Sequence, residues 1–194
     1  ANLFFSVSAG YALSKRRFKA KKTLFRVNQM ALMFVAIAVL IPRYLVLVRL
    51  SIINTLWAHI LPLLAMPVSV FLMKQFIDQV PDSLLEAARI DGAGDYGVLF
   101  RVVIPLVRPA LATVAILTFQ AVWNNVEASN YYVSDETLKT FVFYLSTLSR
   151  QTSGPGATGL AVAGAGMAAA AGLLIFLPNL IIFILMQSRV MNTM

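Results

Sequence analysis

The residues able to do chemistry are few, and they gather in two places. Asn124, Asn125 and Glu127 follow Trp123, a grouping of two amides, one carboxylate and an indole. Amides hydrogen-bond hydroxyls and an indole stacks on a sugar face, so the group suits a polyhydroxylated solute. The same residues, with Tyr131 and Tyr132, equally suit the aromatic and polar belt where a membrane helix ends. The second place runs from Pro81 to Gly94. Ser83 and Glu86 there form an S-x-x-E capping box, which predicts a short helix starting at Ser83 and stopping at Gly92. Leu84, Leu85, Ala88 and Ile90 give that helix an apolar face, while Glu86, Arg89 and Asp91 offer charges. Glu86 can serve a partner or only its own helix end.

No catalytic set can be assembled from this inventory. The chain has no cysteine, and His59 is its one histidine, so thiolate chemistry and multi-histidine metal sites are excluded. Glu127 has no second carboxylate beside it, and no G-x-x-x-x-G-K-[ST] phosphate loop occurs. The expectation is a chain that is not an enzyme and binds no metal or cofactor itself.

The elements that must position these residues are membrane helices. Of 194 residues, 59% are hydrophobic and 12% charged, with a mean hydropathy of +0.79. A soluble domain carries about twice that charged fraction. The apolar residues fall in runs of about 20, enough to cross a hydrocarbon core. Short alternating segments of a closed barrel are absent. The fold class expected is an all-α integral membrane protein, a polytopic helical bundle forming one domain over residues 1–194.

Five apolar segments can be placed. Ala1–Ser14 reads as the end of a helix that begins earlier than this sequence does. Val27–Val48 follows, with Pro42 near its far end. Asn54–Met73 comes next, with Asn54 and Thr55 as caps and bends at Pro62 and Pro67. Leu106–Val126 has Pro109 in its first turn, where proline is tolerated. The last runs from Gly159 to Met186 and contains Pro178. Between the fourth and fifth, 127–156 reads as a long polar loop ending in Ser153-Gly154-Pro155-Gly156. In the last segment Gly164, Ala168 and Gly172, and likewise Ala161, Ala165 and Ala169, are spaced by four. That spacing lets helices approach closely, within this chain or against a partner.

Charge sets the orientation. The formal charge is +8, and seven of the sixteen basic residues lie between Lys15 and Arg26. Beside an apolar segment this reads as a cytoplasmic anchor, not as a nucleic-acid surface. Placing 15–26, 74–108 and Arg189 inside gives that side twelve Lys/Arg and leaves Arg43, Arg49, Lys139 and Arg150 outside. The 74–105 connection is then cytoplasmic, and it holds five of the eight acidic residues, at Asp78, Asp82, Glu86, Asp91 and Asp95. His59 and Gln120 lie mid-segment, the histidine reading as a satisfied interior group. Arg43 and Arg49 read as helix-end anchors or docking contacts.

The 81–105 segment resembles a known family. Glu86-Ala87-Ala88, three residues, Gly92, nine residues, then Val102, Val103, Ile104 and Pro105 follow the pattern of the EAA loop. That loop marks the permease subunits of bacterial and archaeal binding-protein-dependent ABC importers; Val102 and Ile104 stand where the pattern prefers Ile and Leu. The likeness runs on through Ala9–Phe18, Asn54–Ala58, Phe71–Phe76, Pro109–Thr113 and Trp123–Asn125 to Gln187–Arg189. It is closest in kind to the second permease of maltose-type and related oligosaccharide importers. The family more often shows Trp-Asn-Asp where this chain has Trp123-Asn124-Asn125.

The resemblance implies a six-span permease in the bacterial inner membrane, of which about five spans are present here, with the EAA loop and C-terminus cytoplasmic. It implies a second permease as heterodimer partner, two ATP-binding cassette subunits that use ATP and Mg, an extracytoplasmic solute-binding protein and a carbohydrate substrate. Ser83, Glu86, Ala87, Ala88, Arg89, Asp91, Gly92 and Pro105 would carry coupling to the ATPase. Trp123, Asn124, Asn125 and Glu127 would line the substrate pathway. A peptide, phosphate or polyamine importer of the same family is the alternative.

Overall fold

A computed structural model of the chain describes residues 1–64, 66–152 and 161–191. Twelve α-helices follow in order among them: α1 (Asn2–Lys15), α2 (Lys21–Met33), α3 (Leu40–Arg49), α4 (Trp57–Ile60), α5 (Pro67–Asp78), α6 (Asp82–Ile90), α7 (Asp95–Val98), α8 (Ile104–Leu106), α9 (Arg108–Trp123), α10 (Glu127–Tyr131), α11 (Phe141–Thr152) and α12 (Ala161–Met191). Two of the runs, Trp57–Asp78 and Gly166–Gln187, are long and apolar enough to cross a membrane; two bent helix pairs would raise the number to four. The start of the last segment at Gly159 and the Ser153–Gly156 turn lie outside the described residues.

The chain divides into two compact units. The first comprises residues 1–39, 63–118 and 186–194. Its core is built by Val7 and Tyr11 of α1, Met73 and Ile77 of α5, Leu85 of α6, and Val98, Val103, Ala110 and Val114 further on. α1 lies along α5 so closely that a Cβ on Gly10 would stand 2.9 Å from the Cβ of Met73 and 3.0 Å from the backbone N of Lys74. Small residues permit such approach where no hydrophobic effect drives helices together. α2 packs on α5 through stacked Phe25 and Phe71 rings, with the Lys74 ammonium 4.4 Å from the Phe25 centroid.

The second unit comprises residues 40–62 and 119–185. Leu47, Ala58, Ala128, Tyr132 and Val133 form its core. The 127–156 stretch is not the plain loop expected, because α10, a 3-10 turn at Glu136–Leu138 and α11 occupy it. Val142 and Leu145 are buried three residues apart on α11, so a one-sided apolar stripe made this surface helix, too short to read as a span.

Three proline-bearing segments depart from the expectation of continuous helices. The second apolar segment breaks after Met33: Phe34 is extended and Ala36–Val39 form a 3-10 turn before α3. Pro42 has no N–H for the carbonyl of Ala38, four residues back, which leaves that turn outside an α ladder. Asn54 and Thr55 do not cap the third segment. Asn54 sits at φ 59°, and its side-chain oxygen accepts the N–H groups of Ser134 and Asp135 at 3.0 and 2.8 Å. Thr55 instead donates to the carbonyl of Ile52. Farther along, Pro105 does not separate the loop from the next helix. A π-helical stretch, Leu99–Val103, precedes it, with the Ile104 N–H reaching the carbonyl of Leu99. The wider turn accommodates a proline that cannot serve Arg101, and the break falls two residues later at Val107.

Pro67 leaves a similar gap, since it offers no N–H to the carbonyl of Leu63. Asn2 fills it: its amide donates to the carbonyls of Leu63 and Leu64 at 2.9 and 3.2 Å. Its oxygen accepts from Ser6 at 3.3 Å and Thr118 at 3.1 Å. Asn2 and Ser6 are buried, so these groups have no water to fall back on. Asn2→Leu is therefore expected to cost about 1–3 kcal/mol, read as a lowered thermal midpoint of the purified protein; an unchanged midpoint would show that the carbonyls find other donors.

Candidate functional site

α6 starts one residue before the sequence pattern placed it. Asp82 opens the helix, Pro81 precedes it in an extended conformation, and no side chain caps it. The Ser83–Glu86 capping box is thus not formed. Pro81 fixes its own φ near −60° with an extended ψ, so the turn begins directly after it and Ser83 falls inside the helix. Freed from capping, Glu86 is exposed, as are Ser83, Ala87, Arg89 and Asp91.

The far end of α6 closes as expected. Gly92 takes φ +83°, the N–H of Ala93 returns to the carbonyl of Ala88 at 2.9 Å, and that of Gly92 to Arg89 at 3.0 Å. Only glycine enters this left-handed region without steric cost. The expected single apolar face is split. Leu85 is 2% exposed and Ala88 packs on the same core, whereas Leu84 is 45% and Ile90 86% exposed. Tyr96, 81% exposed, follows Ile90 on the same segment. α6 is an anchored helix whose outer side offers a carboxylate, two small residues and large apolar side chains. Such a surface can receive a partner, because apolar groups of this size are otherwise costly to leave in water.

What anchors α6 was missed in the sequence. Lys15, at the end of α1, donates to the carbonyl of Val80 at 2.6 Å and to Asp82 at 2.8 Å. Arg16 pairs with Asp95 at 2.6 Å, and Arg89 stands 3.9 Å from the same carboxylate. Lys15 beside Asp82 holds that carboxyl below the usual range, by hydrogen bond first and charge second. Ser14 and Lys74 both donate to Asp78 at 2.5 Å. The available signal was a concentration of acids in 74–101 matching the bases of 15–26, which had been read only as a membrane anchor. A polar cleft of about 830 Å³ lies alongside, lined in part by Arg17, Lys21, Glu86 and Arg89.

The second candidate group is not one cluster. Trp123 stacks on Phe119, and its indole N–H donates to the carbonyl of Ile175 at 3.0 Å, three residues before Pro178. Asn124 accepts from the Asn179 amide at 3.3 Å, and the buried side-chain oxygen of Asn179 has no hydrogen-bond partner among the described residues. Asn179 was not singled out in the sequence, although a lone amide within an apolar run is itself a signal.

Asn125 and Glu127 turn to structural work. The Asn125 side-chain oxygen accepts the N–H groups of Glu127 and Ala128 at 2.9 and 3.3 Å, holding the first turn of α10. Glu127 receives Arg43 at 2.5 Å and the Tyr132 hydroxyl at 2.5 Å. Arg43 is therefore paired within the chain, not a free docking contact. His59 is bonded to the carbonyl of Leu138 at 3.0 Å, as an interior histidine should be.

Burial pushes the Tyr132 phenol up to about 12, aided by its bond to the Glu127 carboxylate. A raised phenol stabilises the fold fully below the unfolded value of 10.0 and loses that contribution as pH climbs to about 12. The thermal midpoint should accordingly drop across pH 10–12, and Glu127→Gln should flatten that drop. At neutral pH the same change, at a pair about a quarter to a third exposed, should cost about 1 kcal/mol. A midpoint insensitive to Glu127 at both pH values would refute the pairing.

Residues 2–188 match the sequence profile of the family described as the binding-protein-dependent transport system inner membrane component. The chain belongs to this family. As an inner membrane component it is a multi-pass membrane protein and a transport component. It is 37% identical over 124 residues to the arabinooligosaccharides transport system permease protein AraQ of Halalkalibacterium halodurans, covering 64% of this chain and 44% of the relative. It is 29% identical over 191 residues to the melibiose/raffinose/stachyose import permease protein MelC of Bacillus subtilis, covering 95% of this chain and 65% of the relative. The chain thus spans about half the length of the curated relatives it matches. The fold is similar to that of a bacterial ABC transporter involved in the import of the acidic polysaccharide alginate. The TM-score is 0.82 at 24% identity, covering 96% of this chain and 68% of that one.

Proposed function

We propose that this inner membrane component is one permease of an ATP-driven importer of carbohydrates, and of oligosaccharides in particular. It forms half of the translocation pathway beside a second permease. Two ATP-binding cassette subunits, which use ATP and Mg, dock on α6, and an extracytoplasmic solute-binding protein delivers the solute from outside. The chain itself binds no cofactor. The observation that carries the reading is α6: exposed Glu86 and Ala87 on a helix fixed from behind, through Leu85 and Ala88, and closed by a glycine at φ +83°.

The cytoplasmic placement of the 74–105 segment and of the C-terminus follows from charge. Lys15 and Arg16 are tied to Asp82 and Asp95, so the densest basic run and α6 share one face of the first unit. Trp123, Asn124 and the added Asn179 are the polar groups proposed to meet passing sugar hydroxyls. Asn125 and Glu127 hold the backbone and Arg43 around them. A Cβ on Gly172, on the small-residue stripe of α12, would meet nothing within 4 Å among the described residues, which supports a role for that face in contact with the second permease. Carbohydrate is preferred over peptide, phosphate or polyamine because AraQ and MelC carry oligosaccharide names.

The test is co-purification with the ATP-binding subunits, followed by ATPase assays with neutral and uronate-containing oligosaccharides. Stimulation by an oligosaccharide with its binding protein is the expected result. Stimulation by a peptide or polyamine alone would replace the substrate class, and absence of any ATPase partner would end the importer reading.

A further inference from the structure

We propose that Lys15 and Arg16 are positioning residues through which displacement of α6 is delivered to α1 and α5 moving as one body. The proposal rests on the coupling role given to α6 above and names the second route by which force leaves it.

By chain connection alone, α6 pulls on α5 through Gln79–Pro81 and on α7 through Asp91–Gly94. Neither tether includes a residue of α1, which lies more than 60 residues earlier in sequence. The side chains make the missing connection. Lys15, 9% exposed at its side chain, grips both the carbonyl of Val80, just before α6, and the carboxylate of Asp82, its first residue. Arg16 reaches past the helix to Asp95, which Arg89 of α6 also approaches. The helix is therefore held at its start and beyond its end by two consecutive residues, the last of α1 and the one that follows it. Lys15 holds the Asp82 carboxyl below its usual range, as a partner bonded to the ionised form does.

α1 cannot take up such a pull by sliding on α5. Gly10 meets the α5 backbone at contact distance, and Ser14 is bonded to Asp78 at 2.5 Å. A close-packed pair without clearance transmits displacement instead of absorbing it. α1 and α5 are therefore the elements to which Lys15 and Arg16 carry the motion of α6.

A purely structural pair and a transmitting pair differ in one readout, the ATP hydrolysed per solute imported. In proteoliposomes holding the whole importer, Lys15→Met with Arg16→Met should raise that ratio about fivefold, the factor expected for losing ion pairs of this kind, while the subunits still copurify. The chain has no cysteine, so a clean second arm is available. Lys15→Cys with Asp82→Cys should loosen the ratio, and a short bifunctional thiol reagent should restore it. An unchanged ratio in the double Met variant, or arrest of import by the cross-link, overturns the proposal. Solute-stimulated hydrolysis by the importer holding the unaltered chain separates the two readings: its absence overturns the importer function and this inference together, whereas its presence with an unchanged ratio in the double Met variant overturns this inference alone.

Discussion

Gly92→Val is expected to reduce solute-stimulated ATP hydrolysis about tenfold while the chain still inserts and accumulates. The cause is conformational and not steric, since a Cβ at this position meets nothing within 4 Å. At φ +83° an L-residue carries a cost of roughly 1–2 kcal/mol, larger when β-branched. Relieving that strain means leaving this conformation and giving up the bonds from Ala93 to Ala88 and from Gly92 to Arg89 that end α6. The last turn would then fray, releasing Arg89 and Ile90 from their fixed directions on the surface proposed to meet the ATPase. About 1.4 kcal/mol is a factor of ten in the population of the competent state.

A series at this position tests the cause. Gly92→Asn should be mild, because asparagine tolerates the left-handed region, Gly92→Ala intermediate and Gly92→Val severe. Equal loss in all three, or none, would mean that backbone conformation is not what matters. Glu86→Lys provides a control on the same helix. It leaves the backbone alone and should impair hydrolysis only through the partner surface, because Glu86 is exposed and makes no ion pair among the described residues.

Gly10→Leu should abolish accumulation of the folded protein. The added Cβ alone falls at 2.9 Å from a Cβ and 3.0–3.1 Å from backbone atoms of Met73 and Lys74, none of which is the movable end of a side chain. Gly10→Ala should cost about 1–3 kcal/mol, the usual range for overpacking. Leucine adds three further carbons to a contact with no clearance, forcing α1 off α5 and exposing Val7, Tyr11, Met73 and Ile77 of the core. Membrane yield and thermal midpoint check this directly. Gly172→Ala is the matched control, expected to be silent in the isolated chain because nothing lies within 4 Å of it. Wild-type yield for Gly10→Leu would mean that the two helices are not in contact.

Much of the architecture was legible in residue order. Apolar runs of about 20 residues, the position of Pro109 in a first turn and the stop at Gly92 all depend on neighbours within a few positions. So does the Glu86-Ala87-Ala88 pattern, whose spacing to Gly92 and Pro105 was the first sign of the family resemblance. Helix interruptions were less legible. The prolines announced that hydrogen bonds would be lost at Ala38, Leu63 and Arg101 but not how each loss would be met. The answers were a 3-10 turn, the amide of Asn2 and a π-helical turn. The capping box failed for a related reason. Its S-x-x-E spacing is correct, but Pro81 set the start of α6 one residue earlier.

Sequence by itself determined that this chain is helical, lipid-embedded and equipped with a surface helix of a known transport family. Those properties come from local periodicity and composition, which are written in adjacent residues. Tertiary structure decided which charges are spent and which are offered. Lys15 with Asp82, Arg16 with Asp95 and Arg43 with Glu127 join residues 67, 79 and 84 positions apart. One-dimensional order carries no distance between such pairs, so only the fold could separate the paired Glu127 from Glu86, which makes no ion pair among the described residues.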